Sequence, residues 1–420
     1  MRKTLLTLCL LSCCLLCHAQ HPGREVSSYL AGDPHRYAFN IHSYEVVPHH
    51  DTPAPRGYKP FYISHYGRHG SRGSWGCEPY MRVEDILIRA RGEGILTSGG
   101  DSLLAIATYV KESQWAMDGE LTPRGLQEHR GIAERMYRRF PSVFKKGSRT
   151  VRAASSTVPR CILSMNAFTT RLASLQPSLD FSWVTGWKYM DYISKADTKE
   201  IQERRGVIVE SLEWEPLQDS VSIYRRLFTD PEKGKILAPD WKGFENDIFT
   251  TAMVAEPYGV DDNYFRFLPE EMLVLRYAQS VTDAYLGQCN SLELGEDRMK
   301  RTEDLVNVIV SQADEVIEGG GVSADLCFGH DWPYLGLCSR FGLEGVGDRM
   351  DAKTARDNWM GTKYCPLAAN LQIVFYKAKK NPDILVKVLV NEEETRIPAL
   401  DPVAGPYYRW EDVKGMLGIK

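Results

Sequence analysis

The chain has 420 residues, 43% apolar and 25% charged, the balance of a globular protein able to bury one or two sizeable cores and not of a disordered one. A formal net charge of -4 leaves no basic surface able to track a nucleic-acid backbone, so partners of that class are not expected.

Residues 1–19 open on Arg2 and Lys3, continue in a mostly apolar run from Leu5 to Leu16 and close on Cys17-His18-Ala19. This is the three-part layout of a secretory signal peptide, with cleavage expected after Ala19 and a periplasmic or secreted destination. A membrane anchor would need about 20 apolar residues, more than this run supplies, so no transmembrane span is expected in the mature chain. Leu11-Ser12-Cys13 also resembles a lipoprotein processing site, but an apolar stretch follows Cys13 where a polar tether belongs. Cleavage takes the formal charge to -6, because Arg2 and Lys3 leave with the leader. Of the ten cysteines, Cys77, Cys161, Cys289, Cys327, Cys338 and Cys365 remain, too few for a disulfide-built scaffold. An even number in an exported protein allows up to three bridges, and the spacing selects none; no C-x-x-C pair survives for zinc or redox chemistry.

Lys59 to Tyr66 is an apolar and aromatic run ending on Gly67, which predicts a buried strand delivering the next loop to a sheet edge. Residues 81–115 read as helical, with Val83, Ile86, Leu87 and Ala90 on one face and Leu103, Leu104, Ala107 and Val110 on another. Thr122-Pro123 opens a further helix to about Phe140, the threonine as cap and the proline in the first turn. Arg149 to Arg152 predicts a second strand, and Pro159-Arg160 starts a helix whose apolar face is Cys161, Met165, Phe168, Leu172 and Leu175. From 185 to 300 the texture becomes helical and rich in Tyr, Trp, Glu and Lys, as in 269–286, which predicts an inserted helical cap. Within it, Trp214, Trp241, Tyr258 and Tyr264 are expected to pack between cap and core, with substrate contact as the alternative. Residues 302–318 form an amphipathic helix stopped by Gly319-Gly320-Gly321. Ala324 to Phe328 predicts a third strand ending on Gly329-His330-Asp331, and Leu371–Tyr376 with Ile384–Val390 an antiparallel pair. The expected architecture is a three-layer α/β sandwich core, 20–184 and 301–420, interrupted by the cap at 185–300.

Three predicted strands lead into loops whose residues suit one phosphate: Arg68, His69 and Arg72 after the first, Arg160 after the second, His330 and Asp331 after the third. Loops beyond the carboxyl ends of strands in an open α/β sheet share one crevice, so these residues can meet. Guanidinium forks match phosphate oxygens, and the start of a helix at Arg160 offers backbone N–H groups to the same anion. Arg152 competes with Arg160 for the third clamp. A neutral His69 imidazole in line with phosphorus can attack it, Asp331 can protonate the departing alkoxide, and His330 can donate to a phosphate oxygen. The arginines supply the charge, so neither a metal nor another cofactor is expected. His65 and His69 are four apart, the spacing of a helical metal pair, but Gly67 and the strand-like flank argue against helix there. Arg89, Arg91, Lys188 and Lys195 are candidate contacts for a polyphosphorylated ligand or simply a solvated surface.

The Arg68-His69-Gly70-Ser71-Arg72 run, Leu121-Thr122-Pro123-Arg124-Gly125, the Arg160–Phe168 helix start and Gly329-His330-Asp331 together resemble the histidine acid phosphatase branch of the histidine phosphatase superfamily. That branch includes phytases, glucose-1-phosphatases and multiple inositol polyphosphate phosphatases. The resemblance runs from about 58 to 395, including Pro366 to Leu371 and Val386 to Asn391. It implies an α/β sandwich with a helical cap, and the roles just given to His69, the arginines and Asp331. Ser164 and Phe168, one and two turns past Arg160, match the family's pattern there. Two departures stand out: Ser74 occupies the family's usual proline position, and the donor motif is His-Asp in place of the His-Ala-Glu of typical inositol polyphosphate phosphatases. The expected activity is phosphomonoester hydrolysis through a phosphohistidine, on inositol phosphates such as phytate first and sugar phosphates second. A phosphotransferase using the same intermediate, and a non-catalytic phosphate-ester binding protein, are the alternatives.

Overall fold

The computed structural model describes residues 23–48, 50–146, 148–212, 214 and 221–419. The expected leader, with Cys13 and Ala19, lies outside the described residues. The frame is one mixed sheet in the order β3-β2-β4-β1-β5-β6-β7, with β8 paired to β6. The strands are β1 Tyr58–Arg68, β2 Thr150–Ser155, β3 Asp180–Thr185, β4 Val322–Gly329, β5 Asn370–Ala378, β6 Asn381–Val390, β7 Glu393–Thr395 and β8 Tyr408–Arg409. β3, β2, β4 and β1 run parallel, while β5 is antiparallel to both β1 and β6.

Both faces of the sheet are covered, which is why β1 and β4 read as nearly unbroken apolar runs. The period of two divides β1 between the faces. Ile63 joins Ile132, Met136, Phe168, Leu172, Leu326 and Val374 under helices Pro123–Arg139 and Pro159–Leu175. Tyr62 and Tyr66 join Ile373, Phe375, Val388, Leu305, Leu335 and Trp410 under helices Glu303–Ile317, Asp331–Arg340 and Trp410–Leu417. The result is the three-layer α/β sandwich expected from the sequence.

The expected helical stretch at 81–115 is two helices, Glu78–Gly92 and Ser98–Gln114. The chain turns at Gly94, whose φ of +71° is a conformation glycine adopts without strain, and restarts where the Thr97 hydroxyl accepts the Gly100 N–H at 3.0 Å. Both helices pack against Trp241–Ala255, so the helical layer draws on two separate parts of the chain. Between 187 and 301 the described residues contain helices and turns and no strand. Trp241, Tyr258 and Tyr264 pack against the main core, and the Trp214 indole N–H donates to the Val209 carbonyl at 3.1 Å. All six cysteines of the described residues are free. No helix among the described residues is long and apolar enough to cross a membrane.

Candidate active site

The register of the parallel strands brings the three loops together. Arg68 at the end of β1 lies opposite Gly329 at the end of β4, and Ser155 at the end of β2 lies opposite Phe328. Pairing continues one residue beyond: the His69 N–H donates to the Gly329 carbonyl at 2.9 Å and the Ser156 N–H to the Phe328 carbonyl at 3.0 Å. The His69 carbonyl in turn accepts from Ala368 N–H at 2.9 Å. His69 is therefore held by backbone on both sides before its side chain does anything.

The loop after His69 is braced by the Leu121–Gly125 segment. A Cβ on Gly70 would lie 2.6 Å from the Gly125 carbonyl oxygen, and one on Gly125 would lie 2.5 Å from that of Ser71, so the two backbones touch where only glycines fit. The Thr122 N–H and hydroxyl both donate to the Ser71 carbonyl, at 2.8 and 3.0 Å. The half-buried Glu128 carboxylate accepts the Ser71 N–H at 2.7 Å and its hydroxyl at 2.6 Å. Ser164 ties the next helix in: its hydroxyl accepts the Gly70 N–H at 3.1 Å and donates to the Arg160 carbonyl at 2.8 Å. Ser74, in place of proline, donates its N–H to Gln114 Oε1 at 2.9 Å, a bond proline cannot make.

The His69 imidazole is 3% exposed, and its Nδ1 lies 3.0 Å from the Gly70 carbonyl. A carbonyl can only accept, so Nδ1 carries the proton and the neutral ring keeps its lone pair on Nε2. Burial, then the charges of Arg68, Arg160, Arg72 and His330, hold its pKa well below the ordinary histidine value. His330 stands with its ring centroid 5.7 Å from that of His69. Its Nε2 meets the Ser156 hydroxyl at 3.2 Å, and its ring stacks on Trp332 at 4.5 Å with the planes 4° apart. Burial and then Arg160 push His330 down to about 4.

Asp331 opens the Asp331–Arg340 helix. One carboxylate oxygen accepts from Asn40 Nδ2 at 3.0 Å and faces Arg68 Nη2 at 3.3 Å; the other accepts the Trp332 N–H at 3.0 Å. Burial alone would raise this carboxyl, but Arg68, His330, Arg72 and the Trp332 N–H outweigh it and hold it below the usual carboxylate range. Arg68 is anchored by the carbonyls of Asn40, Cys365 and Pro366 at 2.6, 3.0 and 3.1 Å.

Arg72 and Arg160 are differently placed. Each has one carbonyl partner, Gly73 at 2.7 Å and Gly119 at 3.5 Å, and among the described residues neither has a carboxylate within ion-pair distance. The Nε atoms of Arg68, Arg72 and Arg160 are all buried without a partner. Burial, then Arg68 and Arg160, bring Arg72 down to about 9, still charged at neutral pH. Uncompensated buried cations around a neutral imidazole make a cavity that favours an anion. Arg152, the competitor of Arg160, is spent elsewhere. It is the cross-strand partner of Asp325, which it grips at 2.6 and 2.8 Å, and it also reaches Glu315 at 2.8 Å.

The structure thus brings together Arg68, His69, Arg72, Arg160, His330 and Asp331. It adds Asn40, Trp75, Glu128, Ser156 and Trp332, which sequence reasoning did not single out. His65 is buried between Phe168 and Phe328, at ring distances of 5.1 and 5.3 Å, on a strand and not on a helix beside His69. Of the other basic candidates, Arg89, Arg91 and Lys195 face Asp85, Asp101 and Asp304 in surface ion pairs, and Lys188 is exposed beside Tyr189. Among the described residues one group of donors is close enough to hold a cation, Asp33, His42 and Glu45, and it does not include the residues around His69.

No protein-family profile matches the sequence, and no curated protein matches it. Solved structures do. The multiple inositol polyphosphate phosphatase of Bifidobacterium longum in its apo form aligns over 91% of this chain and 97% of its own, at 18% identity and a TM-score of 0.71. Its complex with inositol hexasulfate aligns over the same shares at 18% identity and a TM-score of 0.68. The phytase from D. castellii aligns over 91% of this chain and 84% of its own, at 13% identity and a TM-score of 0.67. Over most of its length, then, this chain has the mixed α/β fold of a multiple inositol polyphosphate phosphatase and of phytases, and its arginine and histidine cluster sits where the strand ends of that fold converge.

Proposed function

We propose that the chain is an exported phosphomonoester hydrolase of the histidine acid phosphatase family, acting through a phosphohistidine on inositol phosphates, phytate first, and on sugar phosphates second. The observation that carries this reading is a neutral His69 imidazole, its Nδ1 proton fixed on Gly70, among three arginines of which two lack a carboxylate partner among the described residues. The substrate class draws on the likeness to an inositol polyphosphate phosphatase and a phytase, and the export on residues 1–19.

In the proposed reaction the ester's phosphoryl oxygens take the open donors of Arg68, Arg72 and Arg160, with His330 as a further donor. His69 Nε2 attacks phosphorus, the bond from phosphorus to the ester oxygen breaks, and Asp331 gives its proton to that oxygen so that an alcohol leaves. The Asp331 carboxylate then takes a proton from water as the water oxygen attacks phosphorus, the P–N bond breaks, and inorganic phosphate and neutral His69 are restored. Asp331 must be protonated at the start, yet Arg68 holds it ionised in the ligand-free site. A phosphate dianion reverses that bias, because it offsets the arginine field and places negative charge beside the carboxyl.

The test is phosphate release from phytate and from an aryl phosphate by the purified protein and by His69→Ala. The variant is expected to keep its fold and melting temperature and lose all but trace turnover; substantial remaining activity would overturn the reading. Phosphate transfer to an added alcohol in place of release would identify the phosphotransferase alternative.

A further inference from the structure

Burying two like charges without a counter-ion is costly, and Arg72 and Arg160 repel each other as well. What they share is Trp75. The Arg72 guanidinium carbon lies 4.2 Å from the centroid of the Trp75 ring and that of Arg160 lies 5.0 Å from it, both within cation–π range. The indole is 67% exposed, so it is not placed there by core packing. Its edge is set by Gly119, where φ is +67° and a Cβ would come 3.0 Å from two indole carbons. Gly119 also donates its N–H to the Ser74 carbonyl at 2.7 Å and accepts from Arg160, so one turn fixes the indole and the fork together.

The chemistry favours an aromatic ring over an acid at this point. A carboxylate would neutralise the two guanidinium groups and occupy their N–H donors, so it would compete with any phosphate. An indole attracts the cations through its quadrupole, adds no charge and takes up none of the donors. We propose that Trp75 is a positioning residue that holds Arg72 and Arg160 as a pair of open forks for the phosphoryl group. This rests on the reading of the His69 cluster as a phosphoryl-transfer site.

The experiment compares intact wild type, Trp75→Leu, Trp75→Phe, Arg160→Ala and the Trp75→Leu/Arg160→Ala double variant. Calorimetric titration with inorganic phosphate and steady-state hydrolysis of p-nitrophenyl phosphate are the two readouts. Trp75→Leu is expected to raise the phosphate Kd and the KM on the order of tenfold with a smaller change in kcat, and Trp75→Phe to restore most of the loss. In the Arg160→Ala background the leucine substitution should cost markedly less, because one of its two clients is gone. A Trp75→Leu protein with unchanged Kd and KM, a phenylalanine variant no better than leucine, or full additivity with Arg160→Ala would overturn the proposal. A wild-type protein that neither binds phosphate nor releases it would instead overturn the phosphoryl-transfer reading on which the proposal depends.

Discussion

Two arginines eight positions apart show how far residue identity alone reaches. Arg152 sits inside β2, where its side chain needs a cross-strand partner and finds Asp325, while Arg160 starts a helix after the strand and keeps its Nε unpartnered. Arg160→Ala is therefore expected to leave stability nearly intact and to lower kcat/KM by about 10²–10³. Arg152→Ala should do the reverse: it leaves the buried Asp325 carboxylate with the Tyr62 hydroxyl but without its charged partner, at a cost of about 1–3 kcal/mol, read as a lower urea midpoint, with activity per folded molecule retained. Asp331 separates binding from chemistry in a similar way. Asp331→Asn keeps an oxygen acceptor for Asn40 and Arg68 but cannot protonate an alkoxide. Turnover of alkyl phosphates such as phytate should fall by about 10²–10⁴, with a much smaller loss for p-nitrophenyl phosphate, whose leaving group needs little help. Equal losses on the two substrates would remove Asp331 from the donor role.

At the scale of elements, the contact between the nucleophile loop and the Pro123–Arg139 helix is the tightest constraint on the site. Gly125→Ala would place a methyl group 2.5 Å from the Ser71 carbonyl oxygen and 2.8 Å from its nitrogen, both backbone atoms that cannot rotate away. The loop must shift, and a displacement near 1 Å at a reacting atom is worth about 10²-fold in rate. Gly125→Ala is thus expected to lose about that much kcat with only a modest change in melting temperature; a normal kcat would show that the loop tolerates the shift. The strand-to-loop transitions at Gly67 and Gly329 were legible because a short apolar run that stops on glycine and charge marks a buried strand and its end. β3 was not: Asp180–Thr185 is an edge strand with mostly exposed or half-exposed positions, so it lacks an apolar run. Asn40 was invisible for a different reason. It lies in the 34–41 3₁₀ segment, and only the tertiary fold lays that segment over Arg68 and Asp331. Trp75 carried no pattern either, since a single exposed aromatic after a motif looks like surface until the two arginines are seen around it.

For the molecule as a whole, buried histidines set opposing limits on stability. His65 and His129 are buried, and burial pushes each down to about 3 from an ordinary 6.5. The unfolded chain takes up both protons below about 6.5 while the folded chain refuses them, so stability falls as pH drops from there toward 3, by about 1.4 kcal/mol per histidine for each pH unit. His42 works in the opposite direction. Burial alone would lower it, but it lies between Glu256 at 3.0 Å and Glu45 at 2.6 Å and its pKa is raised to about 9. Its contribution is complete below 6.5 and is lost as pH rises from there through 9. These groups predict maximal stability near pH 6.5, with an alkaline limb led by His42 and an acid limb to which His69 and His330, likewise held low in the fold, contribute beside His65 and His129. Urea unfolding at a series of pH values checks this, with His129→Leu expected to flatten the acid limb and leave the alkaline one unchanged; equal stability at pH 4.5 and 6.5 would contradict it. Burial, then the charges of Arg68, Arg160 and Arg72, hold the His69 pKa well below the ordinary 6.5, so mild acidification leaves the nucleophile unprotonated. The acid limit of activity would then follow the unfolding midpoint, moving with His129→Leu, and would not track a titration of His69.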